Sequence, residues 1–133
     1  MNNISWDNED LGLSFEKAYG RITIFKTTIE ALGYPANFRF LFDEDHKQFA
    51  IESCSYDACG SHTLAEIIPD ETYQLKSMDL VQFIYHACDW DENYTYRIKG
   101  IIVPIRNMVI FDLSQAIKSK DLRELKMMEK AGS

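Results

Sequence analysis

Cysteine is scarce in this 133-residue chain: Cys54, Cys59 and Cys88 are its only three. An odd number excludes a fully paired disulfide framework and fits a reducing compartment. No run of apolar residues is long enough to span a bilayer as a helix. Met1 to Asp10 is polar and acidic, so the expectation is neither a secretory signal nor a transit peptide, and a cytoplasmic location. Positive charge is in short supply as well. Fourteen Lys and Arg stand against 21 Asp and Glu, a net charge of −7. That balance opposes generic nucleic-acid binding, because phosphate contacts need cations. Five basic residues against three acidic fall between Lys118 and Lys130, which leaves nine against eighteen over residues 1–117. An anion site in the body of the chain must therefore be a local patch. There is no Gly-rich phosphate loop and no nucleophile elbow. His46, His62 and His86 are scattered outside any recognisable dyad, so nothing in the sequence argues for catalysis.

What is present is apolar patterning. With 46% hydrophobic and 13% aromatic residues, residues 1–133 suffice for a single domain with a real core. Leu11, Leu13 and Phe15 alternate with small or polar residues and suggest a short strand. Ile22 and Ile24 show the same period of two, and a short helix follows. Thr27 and Glu30 have capping-box spacing at its start, and Gly33 ends it. Phe38, Phe40 and Phe42 mark a strand whose aromatics are expected in the core. Asp43 to Lys47 is a polar link to a second strand over Gln48 to Ser53, and the two make a hairpin. Thr63 to Ile68 and Tyr73 to Lys76 read as short extended pieces. Ser77 is a candidate N-cap for the clearest helix, with Leu80, Phe83, Ile84 and Ala87 at i, i+3, i+4 and i+7. Tyr94, Tyr96 and Ile98 alternate along a strand. A turn at Val103 to Asn107 leads to its partner over Met108 to Leu113. Ser119 is read as the cap of a terminal helix over Asp121 to Lys130, so residues 118–133 are a helix or tail.

Laid in order, strand, helix and hairpin occur twice, over approximately 19–53 and 73–114. The fold class expected is α+β: duplicated β-α-β-β units packed as an intrachain pseudo-dimer, with a C-terminal helix. Gly20-Arg21-Ile22-Thr23-Ile24, Lys26 and Glu30-Ala31-Leu32-Gly33 resemble the swapped-hairpin DNA-binding family of AbrB, MazE and SpoVT. Two copies resemble the tandem, MraZ-like arrangement. Phe25 stands where that family usually has Pro, and Ile29 where it commonly has Arg. The resemblance implies a DNA-binding transcriptional regulator in which basic residues at the strand start and near the helix contact DNA.

The candidate DNA-binding residues are Arg21, Lys26, Lys76, Arg97 and Lys99, with Arg97, Lys99 and Thr95 sharing one face of a strand. A sheet face or its loops can enter a major groove. The alternative is a non-enzymatic protein-interaction module, antitoxin-like or a regulatory subunit, with an acidic surface for a basic partner. A weaker third reading is an enzyme or small-ligand binder. Cys54, Cys59, His62, His86 and Cys88 offer metal-ligand residue types, but their spacing matches no standard zinc site. Asp89 to Asn93 begins like a calcium loop, yet Tyr94 and Gly100 occupy the positions that need Gly and Glu. No metal and no cofactor is expected. The expected partners are double-stranded DNA or a basic protein, without a membrane, and an oligomer is compatible with the pattern.

Overall fold

A computed structural model describes residues 10–58, 60–63 and 72–120. Among the described residues nine strands dominate: β1 (Gly12–Glu16), β2 (Arg21–Ile24), β3 (Asn37–Asp43), β4 (Gln48–Ser53), β5 (His62–Thr63), β6 (Tyr73–Lys76), β7 (Tyr94–Val103), β8 (Met108–Asp112) and β9 (Ile117–Lys120). The two α-helices of the described residues are short, α1 (Lys26–Ala31) and α2 (Met78–Ala87). All strands join one antiparallel sheet in the order β5-β3-β4-β8-β7-β1-β2-β6, with β9 also paired to β7. The sheet curls into half a barrel. Its curl brings Tyr73 of β6 and His62 of β5, from the two ends of the order, onto the same Phe38 ring, at 5.8 and 5.4 Å.

This corrects the expected duplicated β-α-β-β pseudo-dimer with its C-terminal helix. Neither proposed unit is self-contained, because β2 bonds to β1 and β6 rather than to the hairpin that follows it. β1 inserts between β7 and β2, and β4 bonds to β8, so the hairpins lie edge to edge in one sheet. Ser119, read as a helix cap, pairs with Thr95 inside β9. Residues 121–133, Cys59 and most of the Thr63 to Ile68 segment lie outside the described residues.

β7 joins the two halves of the sheet. Its first half pairs with β1 and β9, and its second half, Gly100 to Val103, pairs with β8. Gly100 sits at the changeover. A Cβ there would come within 2.5 Å of Val109 Cγ1 and 2.7 Å of Phe111 Cε1, so only glycine lets the strands cross this closely.

The inner face carries the core. Leu13, Phe15, Ile22, Ile24, Phe38, Phe49, Ile51, Tyr96, Ile98, Val109 and Phe111 alternate inward along their strands and pack with Ile29, Leu32, Val81, Ile84 and Tyr85 of the helical segments. Phe40 and Phe42 pack half-buried against this cluster, beside the buried Phe38. On α2 the buried stripe is Val81, Ile84 and Tyr85; of the expected Leu80, Phe83, Ile84 and Ala87, Ile84 is buried, Leu80 packs half-buried against the core and Phe83 is exposed. Tyr85 takes the stripe because its ring fits among Trp90 and Tyr96 and its hydroxyl has partners. It accepts from the Lys17 N–H at 3.2 Å and lies 2.9 Å from the Phe15 carbonyl and 2.5 Å from the Tyr94 carbonyl. One side chain thereby ties α2 to β1 and β7.

The capping box does not form. α1 starts at Lys26 after Phe25, without a side-chain cap, and Thr27 donates instead to the Asp10 carbonyl at 2.6 Å. Thr28, fully buried, accepts from the Gly12 N–H at 2.7 Å and donates to the Gly12 carbonyl at 2.8 Å. It locks the helix to the start of β1. Thr28→Val keeps the shape and strands the Gly12 N–H, so it should cost about 1–3 kcal/mol. Urea unfolding of that variant beside wild type measures this directly.

Candidate functional site

Strands alternate their side chains between faces, so the buried set identifies the opposite, outer face by parity. Two register rows cross the β7-β1-β2-β6 half of that face. One reads Thr95, Glu16, Arg21, Lys76. Its neighbour reads Arg97, Ser14, Thr23, Gln74. Lys99 lies beside them, opposite Gly12. Four of the five cations named from the sequence thus share one side of one sheet. With strands about 4.8 Å apart, Arg97 and Arg21 stand roughly 10 Å apart across the sheet, and Lys76 is one strand further. Lys26 sits at the rim as the first residue of α1.

Their electrostatic states differ. Arg21 pairs with Glu16 at 3.5 Å, and its guanidinium lies 4.8 Å from the centre of the Tyr19 ring. Its Nε is buried without a hydrogen bond. Lys99 pairs with Asp10 at 3.1 Å. Arg97 lies 6.0 Å over the Phe25 ring, a cation–π contact that holds the side chain without neutralising it. Among the described residues no carboxylate pairs with Arg97, Lys26 or Lys76. The alternation around Tyr94 anticipated the shared face of Arg97, Lys99 and Thr95. The acidic partners Glu16 and Asp10, the Phe25 support and the hydroxyl and amide groups of Ser14, Thr23 and Gln74 were missed. The alternation of Leu13 and Phe15 already placed Ser14 and Glu16 together on an opposite face. The position of β1 between β7 and β2 had no local signature.

The other singled-out groups do not converge. His62 stacks on Phe38 and lies 5.2 Å from Phe40. Cys54 and Cys88 are free thiols, and burial pushes the Cys88 thiol up, with Lys47 opposing it weakly. Among the described residues no three His, Cys, Asp or Glu side chains gather as a metal cage. Asp43 receives hydrogen bonds from the His46 ring at 2.8 Å and from the backbone of His46 and Asp45. These hold its carboxyl below the usual carboxylate range, the ring contact contributing most. They close the β3–β4 turn. A small depression lined by Ile24, Ile29, Leu32, Pro35, Phe38 and Ile51 is wholly apolar and brings no acid, base or nucleophile together. No helix of the described residues is long and apolar enough to cross a membrane.

Compared with known proteins, the chain matches no family model, no curated protein and no solved structure.

Proposed function

We propose that the chain is a non-enzymatic DNA-binding protein acting in transcriptional control in the cytoplasm, and that it holds double-stranded DNA on the outer face of β7, β1, β2 and β6. The observation that supports this reading is the gathering of Arg21, Lys76, Arg97 and Lys99 on that face, from three strands distant in sequence. Polar Thr23, Gln74 and Thr95 lie beside them, where they can donate to phosphate or base edges, while Ser14 is buried. Lys26, Lys76 and Arg97 carry the electrostatic part, since Arg21 and Lys99 already have acidic partners.

The test is fluorescence anisotropy of a labelled duplex at several salt concentrations. Three cations released from counterion competition give a slope of about −3 in log affinity against log salt. Arg97→Ala and Lys76→Ala should each weaken binding to every sequence and flatten the slope by about one. A chain truncated after Lys120 is the control for the basic tail, and it leaves β9 whole. If binding leaves with residues 121–133 and ignores both substitutions, the DNA reading fails. The alternative, a module offering its acidic surface to a basic protein, then takes over. Asp43 and Asp112, facing outward on one row around Gln48, support that second reading.

A further inference from the structure

Glu16 and Arg21 face each other across the middle of the β7-β1-β2-β6 face. Their charged groups stand 3.5 Å apart, with 14% of the Glu16 side chain and 25% of the Arg21 side chain exposed. As a unit the pair is neutral, so it adds nothing to the attraction for phosphate. It is also held in place. The Arg21 guanidinium lies 4.8 Å from the centre of the Tyr19 ring, a stacking contact that fixes its plane. Its Nε is buried without a hydrogen bond, so only the Nη groups are left to meet a ligand. Drawing Arg21 away to a phosphate would leave the Glu16 carboxylate uncompensated where water is scarce, which is costly. Arg21 therefore stays with Glu16.

Cations without a carboxylate partner lie on either side of the pair. Lys76 is its neighbour on β6, and Arg97 stands on β7, beyond β1. Three strand spacings separate β7 from β6, about 14 Å. The major groove of B-DNA is about 12 Å wide. Lys76 and Arg97 thus reach from one wall of such a groove to the other, and the neutral pair lies over its floor.

We propose, resting on the DNA reading of this face, that the Glu16–Arg21 pair is its base-reading element and takes a G·C base pair. In the major groove G·C shows two acceptors, guanine N7 and O6, and then a donor, the cytosine N4 amino group. The Arg21 Nη groups donate to the first two, and a Glu16 carboxylate oxygen accepts from the third. Donors and acceptor sit side by side in one register row, in the order the base pair demands. An A·T pair turns its adenine N6 amino group toward the guanidinium and its thymine O4 toward the carboxylate. Donor then meets donor and acceptor meets acceptor, so A·T is rejected.

Selection from a pool of randomised duplexes, followed by fluorescence anisotropy on an enriched duplex, tests this. Wild type should enrich G·C at one position. Changing that base pair to A·T should weaken binding about 5- to 150-fold, the range for losing a good bidentate contact. Glu16→Gln/Arg21→Gln exchanges one neutral pair for another. An amide side chain matches adenine rather than guanine, so this double variant should enrich A·T in place of G·C, with the salt slope still about −3. Glu16→Gln alone strips Arg21 of its carboxylate and should steepen the slope by about one. That readout stands even where the double variant fails to fold. Wild type that binds no duplex overturns the DNA reading and this assignment with it. Wild type that binds without a G·C preference, or a double variant that keeps the preference, overturns the assignment alone. An unchanged slope in Glu16→Gln overturns it too, because Glu16 would then not be masking Arg21.

Discussion

Phe15→Ala is expected to lower the free energy of unfolding by about 3–5 kcal/mol, the usual cost of removing a buried aromatic ring. A domain of this size has only about 5–15 kcal/mol in total, so the variant should sit near the edge of folding. The reason lies in where β1 runs. Phe15 is fully buried, opposite Ile22 of β2 and Tyr96 of β7. Its ring meets Phe49 edge-on at 5.4 Å and Trp90 at 5.8 Å. Those neighbours belong to three strands and the α2–β7 connection, which cannot all close on an alanine. Around them Trp90 stacks on Tyr96 at 4.3 Å and Tyr85 meets both edge-on, so collapse at one ring disturbs several pairs. Phe15→Leu keeps most of the volume and should cost less than about 1.5 kcal/mol. Urea unfolding separates the two, with the midpoint moving and the slope unchanged if only stability is altered. A loss below about 1 kcal/mol for Phe15→Ala would mean that the packing tolerates an open centre, contrary to the burial seen.

Most individual elements were legible in the sequence because their signals are local. Alternation marked β2, β3 and β7, the turns after β3 and β7 marked their partners β4 and β8, and the Gly33 stop holds: it has φ +76°, and its N–H and that of Tyr34 bond back to Glu30 and Ile29, which is the Schellman closure. What failed was everything set by pairing between distant strands. The order strand, helix, hairpin suggested two packed units, yet register joins β2 to β6 and β4 to β8 in one sheet. β9 read as a helix cap because Ser119 precedes a charged, Leu-containing run, and only the free edge of β7 makes it a strand. The α2 stripe shifted because Tyr85 satisfies its hydroxyl inside the core, while Phe83 remains 48% exposed against Phe42. The cations are visible in the sequence only one by one. Their common face depends on the Arg21–Lys76 register, which no local pattern carries.

Gly20→Ala should cost about 2–5 kcal/mol, from two sources that can be separated. Gly20 closes the turn from β1 into β2 with φ +58°, and its N–H bonds to the Lys17 carbonyl at 3.2 Å. An L-residue in that left-handed conformation loses roughly 1–2 kcal/mol to contact between its Cβ and the backbone. The second source is the neighbour. The Gly20 carbonyl accepts from the Ser77 N–H at 2.8 Å, which draws the start of α2 onto the turn. A Cβ on Gly20 would lie 2.8 Å from the Met78 Cα and 3.0 Å from its Cβ. A main-chain atom cannot swing aside, so α2 must retreat and pull Val81 and Tyr85 with it. Overpacking of this kind costs roughly a further 1–3 kcal/mol. Gly33 supplies the comparison: its φ is +76°, and nothing lies within 4 Å of an added Cβ. Gly33→Ala should therefore show only the conformational loss, about 1–2 kcal/mol. Met78→Ala in the Gly20→Ala background should recover little, because the closest clash is with the Met78 backbone. Equal losses at Gly20 and Gly33, measured by urea unfolding, would show that the approach of α2 to the turn is not limiting.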